Sequence, residues 1–583
     1  MHLANRITPA VLMLLLFTTR TQAWQVNGVF VGHVTLDPAN GGRVPRVATL
    51  PDDAGRLWCA WPDYSYTADG SVIVAQCMTP AGVAASGWPA GGRILCAVRH
   101  AIAPLLVTDG TGGAFVFWSD WDEGDEFWDV GMQHVTHDGQ IASGWPVAGR
   151  LLGIHGLFEG FAAVADGAGG TYLAWNNTTP SHREVRVQRR SANGNVALGW
   201  PASGVMLTDA AESGPPALIV SGAGIIVAFP DLRNAPPTEP RTDLYAQRIL
   251  GNGALAPGWP AAGLVVCKAD GSQLWPQAVP DGSGGAVIAW SDFRSVSYSP
   301  YVIRITSAGA LAPGWSEDGR PVCDVACRGS EMRLASDGAA GAFLAWDSWD
   351  GNLFHCYAQR IAANGAIAAG WPATGAELGA VQSSRLEPSI AGDGAGGAFV
   401  TWIRDWAAGA WPRDVMLQRL NFDGAPGSGW PDHGLPVCED NTQQWKPQVV
   451  PDGAGGGYVV WLDGRNERGG IDLYAQRFDS GGNAPVDAVS NGTTHVFLAA
   501  QPNPSTGTTR FFAVGTSGAR GTVRVFDIAG RIVRTLADRA VIPSGGAVWD
   551  GCDDRGVRVG AGVYAVQVDI AGQSFGTKVV VAR

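Results

Sequence analysis

The chain has 583 residues, which is too long for one ordinary hydrophobic core unless the core is built from repeats. Its 52 acidic and 40 basic residues give a net charge of −12, which argues against a nucleic-acid partner because phosphate binding needs clustered Lys and Arg. With 46% hydrophobic residues the chain can bury cores, and 81 glycines without a collagen triplet indicate many tight turns.

The N-terminal residues have the pattern of an export signal. His2 and Arg6 precede an apolar run from Ile7 to Phe17, and Thr21-Gln22-Ala23 resembles a small-residue cleavage site. We therefore predict a signal peptide over residues 1–23. The run is short for a membrane span, and no later stretch qualifies, so we expect an exported chain with no transmembrane segment after cleavage.

Residues 24–488 contain a repeat whose clearest mark is Gly-Trp-Pro-x-x-Gly. Successive tryptophans lie 55 to 59 residues apart, and in the fifth copy Ser316 replaces the proline. A fixed period of this size sets the whole fold. We expect each bulky ring to wedge between neighbouring repeats. The seven tryptophans are Trp88, Trp145, Trp200, Trp259, Trp315, Trp371 and Trp430.

Two further signals run in phase with this motif. One is an Asp-Gly-rich turn followed by an apolar strand that ends in an aromatic residue. The other is Tyr-Ala-Gln-Arg or a variant, whose Gln we expect to satisfy buried backbone groups between repeats. Asn-Gly and Asp-Gly turns indicate two-residue hairpins. The eight strand-ending aromatics are Trp61, Trp118, Trp175, Phe229, Trp290, Trp346, Trp402 and Trp461.

Four short antiparallel strands repeated at near-constant length predict an all-β protein with a β-propeller. The eight strand-ending aromatics favour eight blades, and seven blades with a divergent module is the alternative. The segment Val29 to Leu36 has no repeat of its own. We expect it to complete the last blade and close the ring.

Two sets of polar residues recur or cluster within the repeats. Asp63, Asp120, Asp231, Asp292 and Asp463 each follow a strand-ending aromatic by two residues, as Asn177 does in the third copy. They could bind cations or sugar hydroxyls, but recurrence favours turn capping or pairing with arginine. His134 and His137 lack further ligands at metal spacing. Local disulfide candidates are Cys59 with Cys77 and Cys323 with Cys327.

Aromatic residues that break the repeat are the better candidates for ligand binding. Exposed aromatics beside carboxylates suit sugar stacking or a protein hot spot, although core packing explains any single one. Asp122, Glu123, Asp125 and Glu126 could bind calcium, but their spacing fits no defined loop. We predict no cofactor, leave calcium open and assign no catalytic residue. The candidate ligand-binding residues are Trp121, Trp128, Trp349, Trp406 and Trp411.

The chain changes character after residue 488. Residues 489–497 read as a linker, and residues 498–583 predict a small β-sandwich of six or seven strands. Its characteristic residues are Pro502-Asn503-Pro504, the run from Val523 to Gly530 and Arg531, Trp549-Asp550-Gly551, Asp554, Gly562-Val563-Tyr564 and Lys578-Val579-Val580.

These motifs resemble the C-terminal Ig-like sorting domain of type IX secretion cargo and the Ig-like domain of the flagellar hook-capping protein. The resemblance implies that the domain engages a secretion machinery and directs its cargo across the outer membrane of a Gram-negative bacterium. It implies a secreted protein or one held on the outer cell surface.

The sequence supports three hypotheses of function. The first is a secreted or surface propeller that binds a glycan or a protein, without catalysis. The second is a polysaccharide hydrolase or lyase, which would need two or three non-repeating carboxylates together at the ring centre. The third is a structural surface spacer.

Overall fold

The computed structural model divides into two compact units, Met1–Asp487 and Ala488–Arg583. Every regular element in the described part of the chain is a β-strand, and no helix long and apolar enough to cross a membrane is found there. The structure describes residues 27–583 except 36–43, 68–69, 90, 97–99, 123–126, 155, 179–182, 211–214, 236–240, 296, 324–328, 380–382, 408–409, 441, 466–470, 484–496, 502–506, 515–519, 528–530, 542–546, 571–572 and 582–583.

The first unit contains 32 strands in its described residues. They are β1 (Val29–Val34), β2 (Ala48–Pro51), β3 (Leu57–Thr67), β4 (Gly70–Met78), β5 (Arg93–Ile94), β6 (His100–Thr108), β7 (Ala114–Asp122), β8 (Phe127–Val135), β9 (Arg150–Leu151), β10 (Gly156–Ala165), β11 (Thr171–Thr178), β12 (Arg183–Arg190), β13 (Val205–Thr208), β14 (Ala217–Ser221), β15 (Gly224–Asp231), β16 (Asp243–Leu250), β17 (Leu264–Cys267), β18 (Gln273–Pro280), β19 (Ala286–Asp292), β20 (Ser299–Ile305), β21 (Arg320–Pro321), β22 (Gly329–Ser336), β23 (Ala342–Trp349), β24 (Phe354–Ile361), β25 (Ala376–Glu377), β26 (Ser384–Gly392), β27 (Ala398–Ala407), β28 (Ala410–Leu420), β29 (Leu435–Cys438), β30 (Gln444–Pro451), β31 (Gly457–Asp463) and β32 (Ile471–Phe478).

These strands form eight antiparallel blades, as the sequence predicts. Blades 1 to 7 take four consecutive strands each, from β2–β5 to β26–β29, and single bridges join blades 1, 2 and 3 into one hydrogen-bonded sheet. Blade 8 combines β30, β31 and β32 with β1, which pairs with β32 from Val34↔Ile471 to Val29↔Ala475. The predicted closure of the last blade by the N-terminal strand is confirmed.

The blades close into a ring whose innermost layer is the first strand of each blade. Each first strand contacts the first strand of the next blade, and β30 of blade 8 contacts β2 of blade 1. Because the strands alternate in direction, the connections between strands 1 and 2 and between strands 3 and 4 lie at one end of the ring, here called the turn face. The connections between strands 2 and 3 and between successive blades lie at the opposite end, here called the loop face.

Each blade packs around the aromatic residue that ends its second strand. These eight rings are at most 3% exposed. In blade 5 the ring of Trp290 lies against Gly319, the glycine that ends the Trp motif of that blade. A Cβ on Gly319 would lie 2.3 Å from the Trp290 ring, and its φ is +71°. The position therefore requires glycine for both space and backbone conformation.

The seven motif tryptophans fasten each blade to the next. Each indole N–H donates to a backbone carbonyl in the turn that follows the third strand of the next blade, and each ring is 5 to 8% exposed. We call this arrangement the Trp clasp, and it confirms the predicted wedge between blades. The pairs, with N···O distances, are Trp88 to His137 (3.3 Å), Trp145 to Ala192 (3.2 Å), Trp200 to Gly251 (2.9 Å), Trp259 to Ser307 (3.0 Å), Trp315 to Ala363 (2.8 Å), Trp371 to Phe422 (3.0 Å) and Trp430 to Ser480 (3.1 Å).

Replacing one internal clasp, Trp259→Ala, is expected to destabilise the propeller by about 3 kcal/mol because it removes a buried ring and leaves a cavity between blades 4 and 5. Leu198→Ala is the matched control, since Leu198 is fully exposed on the turn face and should change stability by less than about 0.5 kcal/mol. Chemical denaturation measures both variants. Equal midpoints for the two would contradict the role of the clasp.

The recurrent glutamines act within a blade, which corrects the prediction that they bridge blades. In six blades the Gln Nε2 donates to the carbonyl of the motif proline thirteen residues later, as from Gln247 to Pro260 at 2.8 Å. This bond holds the strand 3–4 connection of the same blade against its third strand. Gln133 also donates to Leu95 O of blade 1 at 3.2 Å, and this is an inter-blade contact.

The cysteines correct one predicted disulfide. Cys59 and Cys77 are free and buried, and Trp58, not Cys59, stands opposite Cys77, so the two thiols lie one register position apart. Burial raises the pKa of Cys77 to about 12 and leaves it a neutral thiol. Cys323 is disulfide-bonded. Its pairing with Cys327 stays a prediction, because residue 327 lies outside the described part of the chain.

The second unit is a two-sheet sandwich. One sheet has the order β33-β34-β37 and the other β36-β35-β38-β39, and Trp549 packs with Val525 and Val566 between them. Its strands are β33 (Phe497–Gln501), β34 (Thr509–Val514), β35 (Arg520–Phe526), β36 (Ile532–Val541), β37 (Ala547–Trp549), β38 (Gly562–Ile570) and β39 (Gln573–Val581).

Candidate functional site

Charged side chains on the turn face mostly make contacts that hold the blades together. In blade 5, Asp281 binds Arg304 at 2.8 Å and caps its own turn through the backbone N–H groups of Ser283 and Gly285. Arg304 also donates to Ala363 O of the next blade at 3.4 Å. Equivalent pairs join Asp166 to Arg189, Asp337 to Arg360, Asp393 to Arg419 and Asp452 to Arg477.

His134 replaces the arginine of this pair in blade 2. Its Nε2 lies 2.9 Å from Asp109, and its ring stacks on Phe115. Among the residues that the structure describes, no group of three or more His, Cys, Asp or Glu side chains could hold a metal ion. His134 therefore has a structural partner in its own blade.

The lowered pKa of the turn aspartate Asp109 leads us to expect that the protein loses stability in acid. Burial raises the pKa of Asp109, but hydrogen bonds from His134, Thr111 and Gly113 outweigh burial and lower it to about 2. Because the folded pKa lies below the unfolded value of 3.8, this stabilisation is full above about pH 4 and is lost as the pH falls toward 2. Denaturation at pH 6, 4, 3 and 2 should show this, and Asp109→Asn should reduce the slope. An unchanged slope would contradict the assignment.

The carboxylates that follow the strand-ending aromatics are buried, which supports their structural interpretation. Asp292 is fully buried, accepts the Trp290 indole N–H at 2.8 Å and pairs with Arg294. Asp231 and Asp463 make the same pairs with Arg233 and Arg465. Their oxygens cap turns and bind arginines, and these buried side chains are not accessible to a ligand.

The candidate aromatics from the sequence lie on the loop face of blades 2, 6 and 7. Trp121 and Trp128 stand opposite each other on β7 and β8, half-buried, with ring centroids 5.3 Å apart. Trp349 is 39% exposed and packs on Phe354 at 4.8 Å. Trp406 and Trp411 stand on β27 and β28, and their side chains lie outside the described residues, as do residues 123–126 and the side chain of Asp122.

Blade 5 contributes an aromatic cluster that the sequence-based site prediction omitted. Trp275 is 44% exposed and Phe293 is 41% exposed, and Tyr298 lies between them with ring centroids 5.3 Å from Trp275 and 4.9 Å from Phe293. Trp275 comes from the first strand, whereas Phe293 and Tyr298 come from the strand 2–3 loop. The three rings form one partly exposed apolar surface, here called the blade 5 platform.

A strained backbone position places Trp275 at this surface. Its φ is +51°, and the pairing of β18 with β19 shifts register between Leu274 and Gln277. A positive φ is unusual for a residue with a bulky side chain and requires support from its surroundings. The same position precedes a proline in three other blades, with positive φ at Ala103, Glu387 and Lys446. The backbone conformation repeats at this position, while the side chain differs from blade to blade. The proline that follows the position is the sequence signal that could have identified the site.

In blades 7 and 8 this position carries a charge pair. Lys446 Nζ lies 3.3 Å from Glu387 Oε1, and the Lys446 backbone N–H donates to Glu387 Oε2 at 2.7 Å. The two side chains link the first strands of adjacent blades. They place one acidic and one basic group in the innermost layer of the ring.

Between blades 6 and 7 the loop face carries a polar network centred on His355. Its Nδ1 lies 2.9 Å from Glu377 Oε1 and 2.7 Å from Arg385 Nη2, and its Nε2 lies 3.0 Å from Asp350 Oδ2. Arg385 is fully buried and donates to Glu377 at 2.7 Å. Hydrogen bonds from the Leu353 and Asn352 backbone and from His355 lower the pKa of Asp350 to about 2. The buried Arg385 side chain holds the network in place, and the carboxylates of Asp350 and Glu377 are partly exposed.

The sorting-motif residues have structural contacts where the structure describes them. Trp549 is fully buried and donates to Cys552 O, Asp550 accepts the Cys552 N–H, and Tyr564 donates to Gly560 O at 2.8 Å. Arg531 closes the turn to Asp527. Gly562 begins β38, and Lys578 lies on β39 without a described side chain. Pro502, Asn503, Pro504 and Gly530 lie outside the described residues.

Solved structures similar to this chain share little sequence with it. An ulvan lyase of a polysaccharide lyase family, with a bound oligosaccharide, is 11% identical with a TM-score of 0.41, and the match covers 70% of this chain and 97% of that one. The polysaccharide lyase Uly1 is 8% identical with a TM-score of 0.38, over 68% of this chain and 98% of that one. The β-propeller domain of the Trilobed protease from Pyrococcus furiosus is 8% identical with a TM-score of 0.36, over the same shares of the two chains. No protein-family profile and no curated protein sequence matches the chain.

Proposed function

We propose that this protein is an exported β-propeller that binds glycans through its loop face, without catalysis. The distribution of exposed aromatic side chains carries the proposal. In the described part of the propeller, aromatics more than 36% exposed number four on the loop face and one, Phe422, on the turn face. The four on the loop face are Phe127, Trp275, Phe293 and Trp349.

Clustered exposed aromatic side chains are unfavourable on a protein surface unless they contact a ligand. The blade 5 platform offers three ring surfaces, and Asp350, Glu377 and His355 in the adjacent blade offer hydrogen-bond groups. Sugar rings have apolar C–H faces and a rim of hydroxyls. Apolar rings beside a few fixed polar groups are the usual composition of such sites.

The first experiment is a glycan array and a polysaccharide degradation panel, both with the full mature chain and both with and without calcium. Saturable binding of one glycan class with no released product is the expected result. Release of shortened or unsaturated products would show that the protein is catalytic and would contradict this part of the proposal. His355 would then be the first residue to mutate. No binding to any glycan would favour a protein partner or a structural spacer.

We also propose that the second unit is the sorting domain that carries the propeller to the cell surface. The support is the set of motifs in residues 498–583 together with the two-sheet sandwich around Trp549. In a bacterium with a type IX secretion system, the full chain should reach the outer surface, and a chain lacking residues 488–583 should stay in the periplasm. Surface proteolysis after fractionation measures this, and equal export of both chains would overturn the proposal.

A further inference from the structure

The indole N–H of the strand-ending tryptophan donates to a carboxylate in blades 2, 5 and 8. In blade 5 the Trp290 Nε1 donates to Asp292 Oδ2 at 2.8 Å, and Arg294 binds the same carboxylate. The Sγ of Cys267, in the fourth strand of blade 4, lies 3.8 Å from that oxygen. In these blades a negatively charged oxygen satisfies the buried donor. The other two pairs, each 2.9 Å apart, are Trp118 with Asp120 and Trp461 with Asp463.

Blade 7 keeps the tryptophan but not the carboxylate. Trp402 is fully buried, and the residue two positions later is Arg404, whose guanidinium binds Asp414 at 2.6 Å. Gly379 stands at the position of Cys267, four residues after the glycine that ends the Trp motif. Among the residues that the structure describes, the Trp402 Nε1 has no hydrogen-bond acceptor. Buried donors without a partner are rare in native proteins and indicate a partner from outside the chain, such as a water molecule or an ion.

Arg385 places a positive charge at the same junction. It comes from the first strand of blade 7 and is fully buried. Its Nη1 donates to Leu378 O at 3.0 Å, and its Nη2 donates to Glu377 Oε1 at 2.7 Å. Its Nε has no acceptor in the part of the chain that the structure describes. The arginine therefore retains one buried N–H group, and its acidic partner Glu377 is partly exposed.

The surroundings of Gly379 show that the two unpartnered donors lie close together. A Cβ built on this glycine would lie 3.0 Å from Arg385 Cδ, the carbon bonded to Nε, and 3.3 Å from Trp402 Nε1. Both donors therefore lie beside one point at the junction of blades 6 and 7. At the junction of blades 4 and 5 the corresponding place is where Cys267 contacts the carboxylate of Asp292.

We propose that the junction of blades 6 and 7 binds one small anion of the chloride class, held by the Trp402 Nε1–H and the Arg385 Nε–H. An anion accepts hydrogen bonds from both donors, whereas a water molecule would also need acceptors for its own two hydrogens. The bond from the guanidinium is charge-assisted, and full burial of both side chains restricts the site to a small ion. Arg385 also binds Glu377 and His355. The anion therefore fixes the side chain that holds the loop-face network.

Blade 3 provides a matched comparison. The Trp175 Nε1 also has no acceptor among the described residues, and Asn177 takes the position of the carboxylate. Gly156 stands opposite Asn177, whereas Arg385 stands opposite Arg404 in blade 7. The indole donor is therefore present in blade 3 without an arginine at the opposite position, and no anion is expected there.

The test measures the Tm of the full mature chain in sodium chloride and in sodium gluconate at equal ionic strength, which separates anion binding from screening. The wild-type Tm should be about 3 °C higher in chloride when chloride is about 100 times its Kd. Trp402→Phe keeps a ring but removes the donor, so it should lose most of this difference. Trp175→Phe makes the same change in blade 3 and should keep the difference in full.

Crystals soaked in sodium bromide locate the ion, because bromide replaces chloride and scatters anomalously. The expected result is one bromide in hydrogen-bond contact with both Trp402 Nε1 and Arg385 Nε. A map without a peak beside these two donors would overturn the proposal. Equal wild-type Tm values in the two salts, or an equal loss of the chloride effect in Trp402→Phe and Trp175→Phe, would also overturn it. If Trp402→Phe does not fold, the bromide map of the unchanged protein decides.

Discussion

Replacing Trp275 and Phe293 together by alanine is expected to weaken glycan binding by about 30-fold or more. Both rings are more than 40% exposed, and they lie on either side of Tyr298 in the blade 5 platform. Truncating central aromatic contacts of a binding surface costs about 2 kcal/mol or more, and 1.4 kcal/mol corresponds to a tenfold change in Kd. Titration calorimetry with the best ligand from the array measures the change.

Phe422→Ala is the matched control for this experiment. Phe422 is an exposed aromatic, 57% accessible, but it lies on the turn face, with the Arg360 guanidinium 4.0 Å from its ring centre. Its replacement should leave the Kd unchanged. A double variant of Trp275 and Phe293 that keeps the wild-type Kd and Tm would move the ligand away from blade 5, and the Trp121–Trp128 pair in blade 2 would be tested next.

The propeller itself could be predicted from the sequence because its determinants are local and recur seven or eight times. The turn residues, the strand-ending aromatics and the Trp motif each act within one blade or between neighbours. The eight strand-ending aromatics favoured eight blades, whereas the Trp motif occurs seven times and left seven blades as the alternative. The assignment of Val29 to Leu36 to the last blade followed from the same reasoning, and β1 covers most of that segment. Because each signal occurs in several blades, an atypical residue in one copy does not obscure the pattern.

The candidate site could not be predicted in the same way because its residues come from different strands and blades. The blade 5 platform depends on a bulge with a positive φ at Trp275, which brings a first-strand residue to a loop two strands away. His355, Glu377 and Arg385 belong to β24, β25 and β26, in two blades. Pairing register and bulges determine which of these side chains lie together. The proline after the bulge position marks the bulge in the sequence, but it does not show which side chains meet there.

Register also explains the errors made from the sequence. Cys59 and Cys77 are close along one hairpin, but an offset of one position separates their thiols. The recurrent glutamines were expected to link blades because their position repeats, yet the connection they hold belongs to their own blade. Repetition shows that a contact is structural without showing which partner it reaches.

Asp292→Ala is expected to destabilise the protein by about 3 to 5 kcal/mol, whereas Asp270→Ala should cost less than about 0.5 kcal/mol. Asp292 is fully buried, and its removal strands the Trp290 indole N–H and the Arg294 guanidinium that it binds. Asp270 is a matched aspartate, because it also lies on the loop face but its carboxylate is 95% exposed in its pair with Arg241. Chemical denaturation measures both.

The same pair of variants separates a structural carboxylate from a ligand-binding one. If Asp292 only holds the turn and Arg294, the Asp292→Ala protein that remains folded at low temperature should bind glycan with the wild-type Kd. A loss of binding with little loss of stability would contradict the structural assignment and return the carboxylates that follow the strand-ending aromatics to the candidate site. Because Asp231 and Asp463 make the same contacts with Arg233 and Arg465, the outcome at Asp292 decides the role of this position in at least three blades.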